Sequence, residues 1–212
     1  EIIGIKNFAS AILCIIQTIV LFSFMWQNKL LEKYGICKSS ISARRFLYYV
    51  PLIILATSNL WHGVTMNYSC FEMICHIFLM LCVGFIEEVI FRGFLFRAIA
   101  KDNVKTAIII SSITFGIGHL INLVNGSGMG LAANLFQVVY AIALGFLFVI
   151  LFYRSGTLLP CIITHSAINI LSAFADKTGL TVEKRIAFLL IEFIMIAIYI
   201  LILTKTLPKK QG

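Results

Sequence analysis

The stretch FEMICHIFLMLCVGFIEEVIFRGFLF, residues 71–96, is apolar enough and long enough to cross a bilayer as a helix, yet it carries Glu87, Glu88 and Arg92. Roughly 20 predominantly apolar residues span the hydrocarbon layer. A charged side chain there costs roughly 2.5–3.5 kcal/mol on insertion scales, so it faces the protein interior and marks a site. Reading this stretch as a membrane helix fixes the fold class and raises the question of what the two adjacent carboxylates do.

The rest of the chain agrees with a membrane setting. Of 212 residues, 60% are hydrophobic and only 12% are charged, with 18 Phe, against a charged share of about 25% in a soluble domain. Further apolar runs cover residues 7–26, 46–60, 106–121, 131–152, 157–174 and 186–204, the second being short. The expectation is an all-α polytopic transmembrane bundle of about seven helices, forming one domain over residues 1–212. A β-barrel does not fit, because the runs are continuously apolar and lack a period of two.

Orientation follows from Lys and Arg. Lys29, Lys33, Lys38, Arg44 and Arg45 follow the first run, Arg97, Lys101 and Lys105 the third, and Arg154 the fifth, whereas WHGVTMNYS and NLVNGSGMG carry none. The basic loops and the tail with Lys205, Lys209 and Lys210 are therefore expected on the cytoplasmic side, in the cell membrane if the source is prokaryotic. Lys177, Lys184 and Arg185 run against that pattern. In this reading the chain begins outside, at Glu1, so an eighth helix is expected upstream. The net charge of +8 is explained by topology and implies no nucleic-acid partner. The six cysteines form no CxxC pair, so they are read as packing residues.

The ionisable residues at membrane depth fall at one level. At about 1.5 Å per residue from the cytoplasmic ends, Glu87 lies roughly 15 Å deep, His119 roughly 20 Å and His165 roughly 12 Å, with Asn169 one turn beyond His165. Glu88 and Arg92 are four apart, so an ion pair on one helical face is expected between them, leaving Glu87, rotated by about 100°, for chemistry. In FGIGH, Phe115 lies one turn from His119, and Gly116 and Gly118 permit close helix approach; in HSAIN, His165 and Asn169 face one direction.

The ordered set EEVIFR (Glu87, Glu88, Arg92), FGIGH (Phe115, His119) and HSAIN (His165, Asn169) resembles the three motifs of the CPBP or Abi family, the CAAX prenyl proteases and bacteriocin-processing enzymes. The likeness covers about residues 70–175. It implies an intramembrane endopeptidase in which Glu87 is the general base, His119 helps to bind and orient the water, and His165 and Asn169 stabilise the oxyanion. Peptide hydrolysis needs such a base and such donors. Glu88, Arg92 and Phe115 then support the site.

No cofactor is expected. The alternative is zinc held by Glu87, His119 and His165 with an open position, a possibility the family's older description as metalloproteases keeps in view, although no HExxH is present. The expected partners are the lipid bilayer and a membrane-associated peptide or protein, such as a CAAX-type tail, a leader peptide or a pheromone or bacteriocin precursor. The competing readings are a membrane scaffold or immunity protein and, less well supported, a proton-coupled transporter, which would show paired broken helices or internal repeats. Glu192 is read as a helix contact, Glu72 and His76 as solvated near the outer interface, His62 as an outer-loop residue, and Trp26 and Trp61 as interfacial anchors.

Overall fold

The computed structural model describes residues 4–39, 47–124 and 130–207. Arg44, Arg45, Lys209, Lys210 and most of the NLVNGSGMG loop lie outside the described residues. Seven helices occur among those described: α1 (Phe8–Gln27), α2 (Leu47–Ala56), α3 (Cys70–Ala100), α4 (Val104–Leu123), α5 (Leu131–Ser155), α6 (Leu159–Phe174) and α7 (Val182–Thr206). Each coincides with an apolar run read from the sequence. Five are long and apolar enough to cross a membrane, while α2 and α6 are shorter, although the sixth run had been expected to span. The chain is a helical integral membrane protein.

The helices form two compact units, one comprising residues 1–89 and 157–180 and the other residues 90–156 and 181–212. The chain passes from the first to the second within α3.

In the first unit, α3 starts where Ser69 and Glu72 close a reciprocal cap. Ser69 Oγ accepts from the Glu72 N–H at 3.4 Å, and Glu72 Oε2 accepts from the Ser69 N–H at 3.0 Å. Two of the orphan donors of the first turn are thus satisfied. α1 packs on α3 around Ala11, Cys75 and Leu79, with Phe8, Cys14, Met80 and Val83 at the margin. Its other faces expose Leu13, Val20 and Trp26, which in a bilayer meet lipid.

α6 runs against α3 at the closest approach in this unit. Gly84 of α3 abuts Ser166 of α6, where a Cβ would lie 3.1 Å from the Ser166 backbone nitrogen and in collision with its hydroxyl. Only hydrogen fits there, which is why the apolar run contains a glycine. Both ends of α6 are tied by polar groups. At its start the Leu158 N–H donates to Gly35 O at 2.7 Å and Thr157 Oγ1 donates to Cys37 O at 2.7 Å. At its far end Asn59 Nδ2 donates to Ile168 O, and Asn67 Nδ2 to Ala173 O and Ala175 O. These donors satisfy carbonyls that a helix end leaves without intrahelical partners.

In the second unit α5 is the most enclosed span, with half of its apolar window buried against 11% for α1. α4 meets α5 through small residues: Gly116 abuts Ile142 and Gly145 abuts Ser112. The expected close approach at Gly116 is present, whereas Gly118 has no neighbour at that distance. Gly156 ends α5 at φ 73°, a left-handed conformation that glycine adopts without strain. Arg154 Nη1 donates to Leu207 O at 2.6 Å, beside the end of α7.

Between Val89 and Phe96, α3 is a π-helix. Such wider turns are rare and recur at functional sites.

Placing a methyl at Gly84 overpacks the α3–α6 contact. Gly84→Ala is expected to lose about 1–3 kcal/mol in thermal or denaturant unfolding of the detergent-solubilised protein, and Ser166→Gly in the same chain is expected to recover part of the loss.

Candidate active site

The Gly84–Ser166 contact brings the carboxylates that follow on α3 to the histidine that precedes Ser166 on α6. His165 Nδ1 lies 2.9 Å from Glu88 Oε1, and His165 Nε2 lies 3.6 Å from Glu87 Oε2. The imidazole therefore sits with one nitrogen toward each carboxylate. Glu88 is wholly buried and the His165 side chain is 5% exposed, whereas the Glu87 side chain is 31% exposed. An ionised carboxylate only accepts hydrogen bonds, so with Glu88 ionised the contact is a donation from His165 Nδ1–H. Of the two acids Glu87 is the more exposed, although its Oε2, which faces His165, is itself enclosed.

The structure makes Glu88 the nearer of the two acids to His165, and so gives it a direct part in orienting that ring. Asn169 follows His165 by one helical turn on α6, as expected, and is half-buried. Its side-chain amide has no hydrogen-bond partner among the described residues, while its main-chain carbonyl accepts from Ser172 Oγ at 2.7 Å and from His76 Nε2 at 3.1 Å.

His76 corrects an expectation. It was read as solvated, but it is 4% exposed and stacks on Tyr68 at 5.2 Å between ring centroids. The signal was present in the sequence, because Met73, His76 and Leu79 recur at three-residue intervals on one face, and all three are buried. Glu72, its supposed companion, is the capping residue described above. His62 Nε2 donates to Thr178 O at 2.9 Å across the loops of the first unit.

Arg92, Phe115 and His119 form a second group, in the second unit. Arg92 is wholly buried, with its guanidinium carbon 4.0 Å from the centroid of the Phe115 ring and 5.6 Å from that of Phe148. A cation over an aromatic face is attracted by the ring quadrupole, the more so when water is excluded. Phe115 in turn meets His119 edge to face at 5.5 Å and Phe91 at 5.4 Å. His119 stands where α4 passes from α-helix to a 3-10 turn, and its carbonyl accepts from Asn134 Nδ2 at 2.8 Å. Ser111 Oγ donates to Phe91 O at 2.8 Å, so the hydroxyl of α4 serves a carbonyl of the π-helical segment.

Within the first unit, then, two acids, one histidine and one amide are assembled on two helices, with one acid partly exposed. Residues 69–171 match the Rce1-like family, described as type II CAAX prenyl endopeptidase Rce1-like. The chain carries an Rce1-like domain. That family is one of CAAX-type membrane proteases, and the matched residues enclose all three motifs quoted from the sequence. α1 and α7 lie outside the matched residues of the Rce1-like domain. No curated protein and no solved structure matches the chain.

A metal has been a standing question for proteases of this kind. Among the described residues no group of three His, Cys, Asp or Glu side chains is arranged to hold one. The donors that stand together in the first unit are His165 and two carboxylates, and the Nδ1 of that histidine is directed at Glu88.

The Glu88 contact predicts a proton on His165 Nδ1, which nitrogen NMR of histidine-labelled protein reads directly. In Glu88→Gln, which keeps the volume and can no longer compensate a positive ring, the His165 signals are expected to shift. Phe115→Leu removes the face under Arg92 and is expected to destabilise the protein by about 2 kcal/mol or more, measured by unfolding in detergent.

Proposed function

We propose that the protein is an intramembrane endopeptidase that hydrolyses a peptide bond in a membrane-associated peptide or protein with water activated by a glutamate, and that Glu87, His119, His165 and Asn169 carry the reaction. The observation that supports this most is the placement of His165 between a buried and a partly exposed carboxylate.

Glu87 is the general base. In this reading the nucleophile is a water taken up between Glu87 and His165, whose Oε2 and Nε2 lie 3.6 Å apart. Glu87 takes a proton from that water as its oxygen attacks the substrate carbonyl, and returns it to the leaving amine. The tetrahedral oxyanion needs N–H donors aimed at it. The side-chain amide of Asn169 supplies one, and His165 supplies the other when its ring carries both protons. Glu88 then has the part that a buried acid has behind a catalytic histidine, holding the ring's orientation and compensating its positive charge. His119 is given the part of water ligand by its place in the FGIGH motif, not by a distance.

A glutamate mechanism accounts for these residues without a metal. If zinc were the agent, Glu87, His119 and His165 would be its ligands and would bind the substrate carbonyl's oxygen through it. Of the substrate classes, a CAAX-type tail has the support of the matched family, and a leader peptide or pheromone or bacteriocin precursor remains in the same chemical class. The basic loops and C-terminus are proposed to be cytoplasmic, so that a peptide reaches the site from that face or laterally from the bilayer.

Comparative mass spectrometry of membrane peptides from cells with the intact protein and with Glu87→Gln tests the reading. Cleavage products are expected to vanish in the variant while expression and unfolding temperature hold. Products that persist unchanged overturn the assignment of Glu87. Incubation of the purified protein with a chelator is expected to leave cleavage of a farnesylated CAAX peptide within about twofold; abolition that zinc restores favours the three-ligand site.

A further inference from the structure

His76 belongs to no motif and to no part of the proposed chemistry, yet it is buried in the apolar heart of α3 with both ring nitrogens engaged. A carbonyl can only accept, so His76 Nε2–H donates to Asn169 O at 3.1 Å. Nδ1 is then the acceptor of the neutral ring, and Asn7 Nδ2, at the start of α1, lies 3.4 Å from it with hydrogens to give. Tyr68 covers the ring face. One tautomer satisfies every contact, and the ring joins α1, α3 and α6.

The carbonyl it reaches is in the last turn of α6, where the α-helix closes at Leu171 and a 3-10 turn follows at Ser172–Phe174. Such carbonyls have lost their intrahelical partners. The direction of the Asn169 side chain is set by this backbone, since the amide has no hydrogen bond of its own among the described residues to hold it. An oxyanion donor must be held within about 0.5 Å of its place to act. We propose that His76 is a positioning residue for Asn169: by fixing the end of α6 it aims the amide at the developing oxyanion. This rests on the proposed role of Asn169, and the test separates the two.

Purified full-length protein in detergent, with a farnesylated CAAX peptide as substrate, is compared with His76→Leu, His76→Gln, Asn169→Ala and the double variant His76→Leu with Asn169→Ala. Loss of an oxyanion donor lowers kcat by about 10²–10³-fold, and Asn169→Ala is expected in that range. His76→Leu is expected to lower kcat roughly tenfold with KM unchanged, and His76→Gln, which keeps an N–H donor, to retain most of it. If His76 acts through Asn169, the double variant is no slower than Asn169→Ala alone, since residues that act as a unit are not additive. Losses that multiply, or a His76→Gln as impaired as His76→Leu, overturn the proposal. Should His76→Leu fail to fold, His76→Gln in place of His76→Leu supports the proposal with near-full kcat and overturns it with a tenfold loss. A fully active Asn169→Ala overturns the role of Asn169, and the positioning role of His76 with it; inactivity of Asn169→Ala beside a fully active His76→Leu overturns only the latter.

Discussion

A carboxylate enclosed among apolar helices is tolerable only if something charged or hydrogen-bonding stands against it, and Glu88 shows how this chain meets that condition. Its partner is His165, 77 positions away in sequence. The pairing demands that α3 and α6 lie nearly in backbone contact, and Gly84 against Ser166 permits it. The polar ties at either end of α6, from Gly35 and Cys37 at one end and Asn59, Asn67 and His76 at the other, then hold a short helix in a fixed place where its apolar surface alone would leave it free to slide. Sliding by one residue would turn His165 away by about 100°, so the ties and the acid–histidine contact stabilise one register together.

The division of labour between two neighbouring acids follows from the same packing. They point in different directions because they are adjacent on a helix, and α6 covers one of them fully. Glu88 is held dry, with His165 against it. Glu87 keeps about a third of its side chain exposed. Two identical side chains thus acquire different chemistry from burial alone, as paired carboxylates in hydrolases often do.

Much of this was legible in the sequence, and the reasons it was legible are physical. Continuous apolar runs can only be helices in a bilayer, so all seven helices were anticipated, and Gly116 announced a close approach that α5 occupies with Ile142. The residues singled out for chemistry were found by the cost of placing them in hydrocarbon. What the sequence hid was tertiary pairing. The contact of Glu88 with His165 joins two helices, and no local pattern encodes it. His76 was misjudged for a related reason: the group that justifies its burial is the main-chain carbonyl of Asn169, and a backbone acceptor has no letter in the sequence. The shortness of α6 was equally hidden, since Thr157 and Leu158, which open the apolar run, are committed to the loop at Gly35 and Cys37.

The π-helical turns from Val89 to Phe96 set the phase of α3. Each such turn accommodates an extra residue relative to the α-helix, so the segment behaves as a length buffer between the acids and everything after them. Removing one residue from it would tighten the segment towards α geometry, and the side chains within it, Arg92 over the Phe115 ring among them, would lose their present directions. The spacing in EEVIFR is therefore a matter of angular timing as well as residue identity, and a shuffled or shortened version with the same charges would not serve.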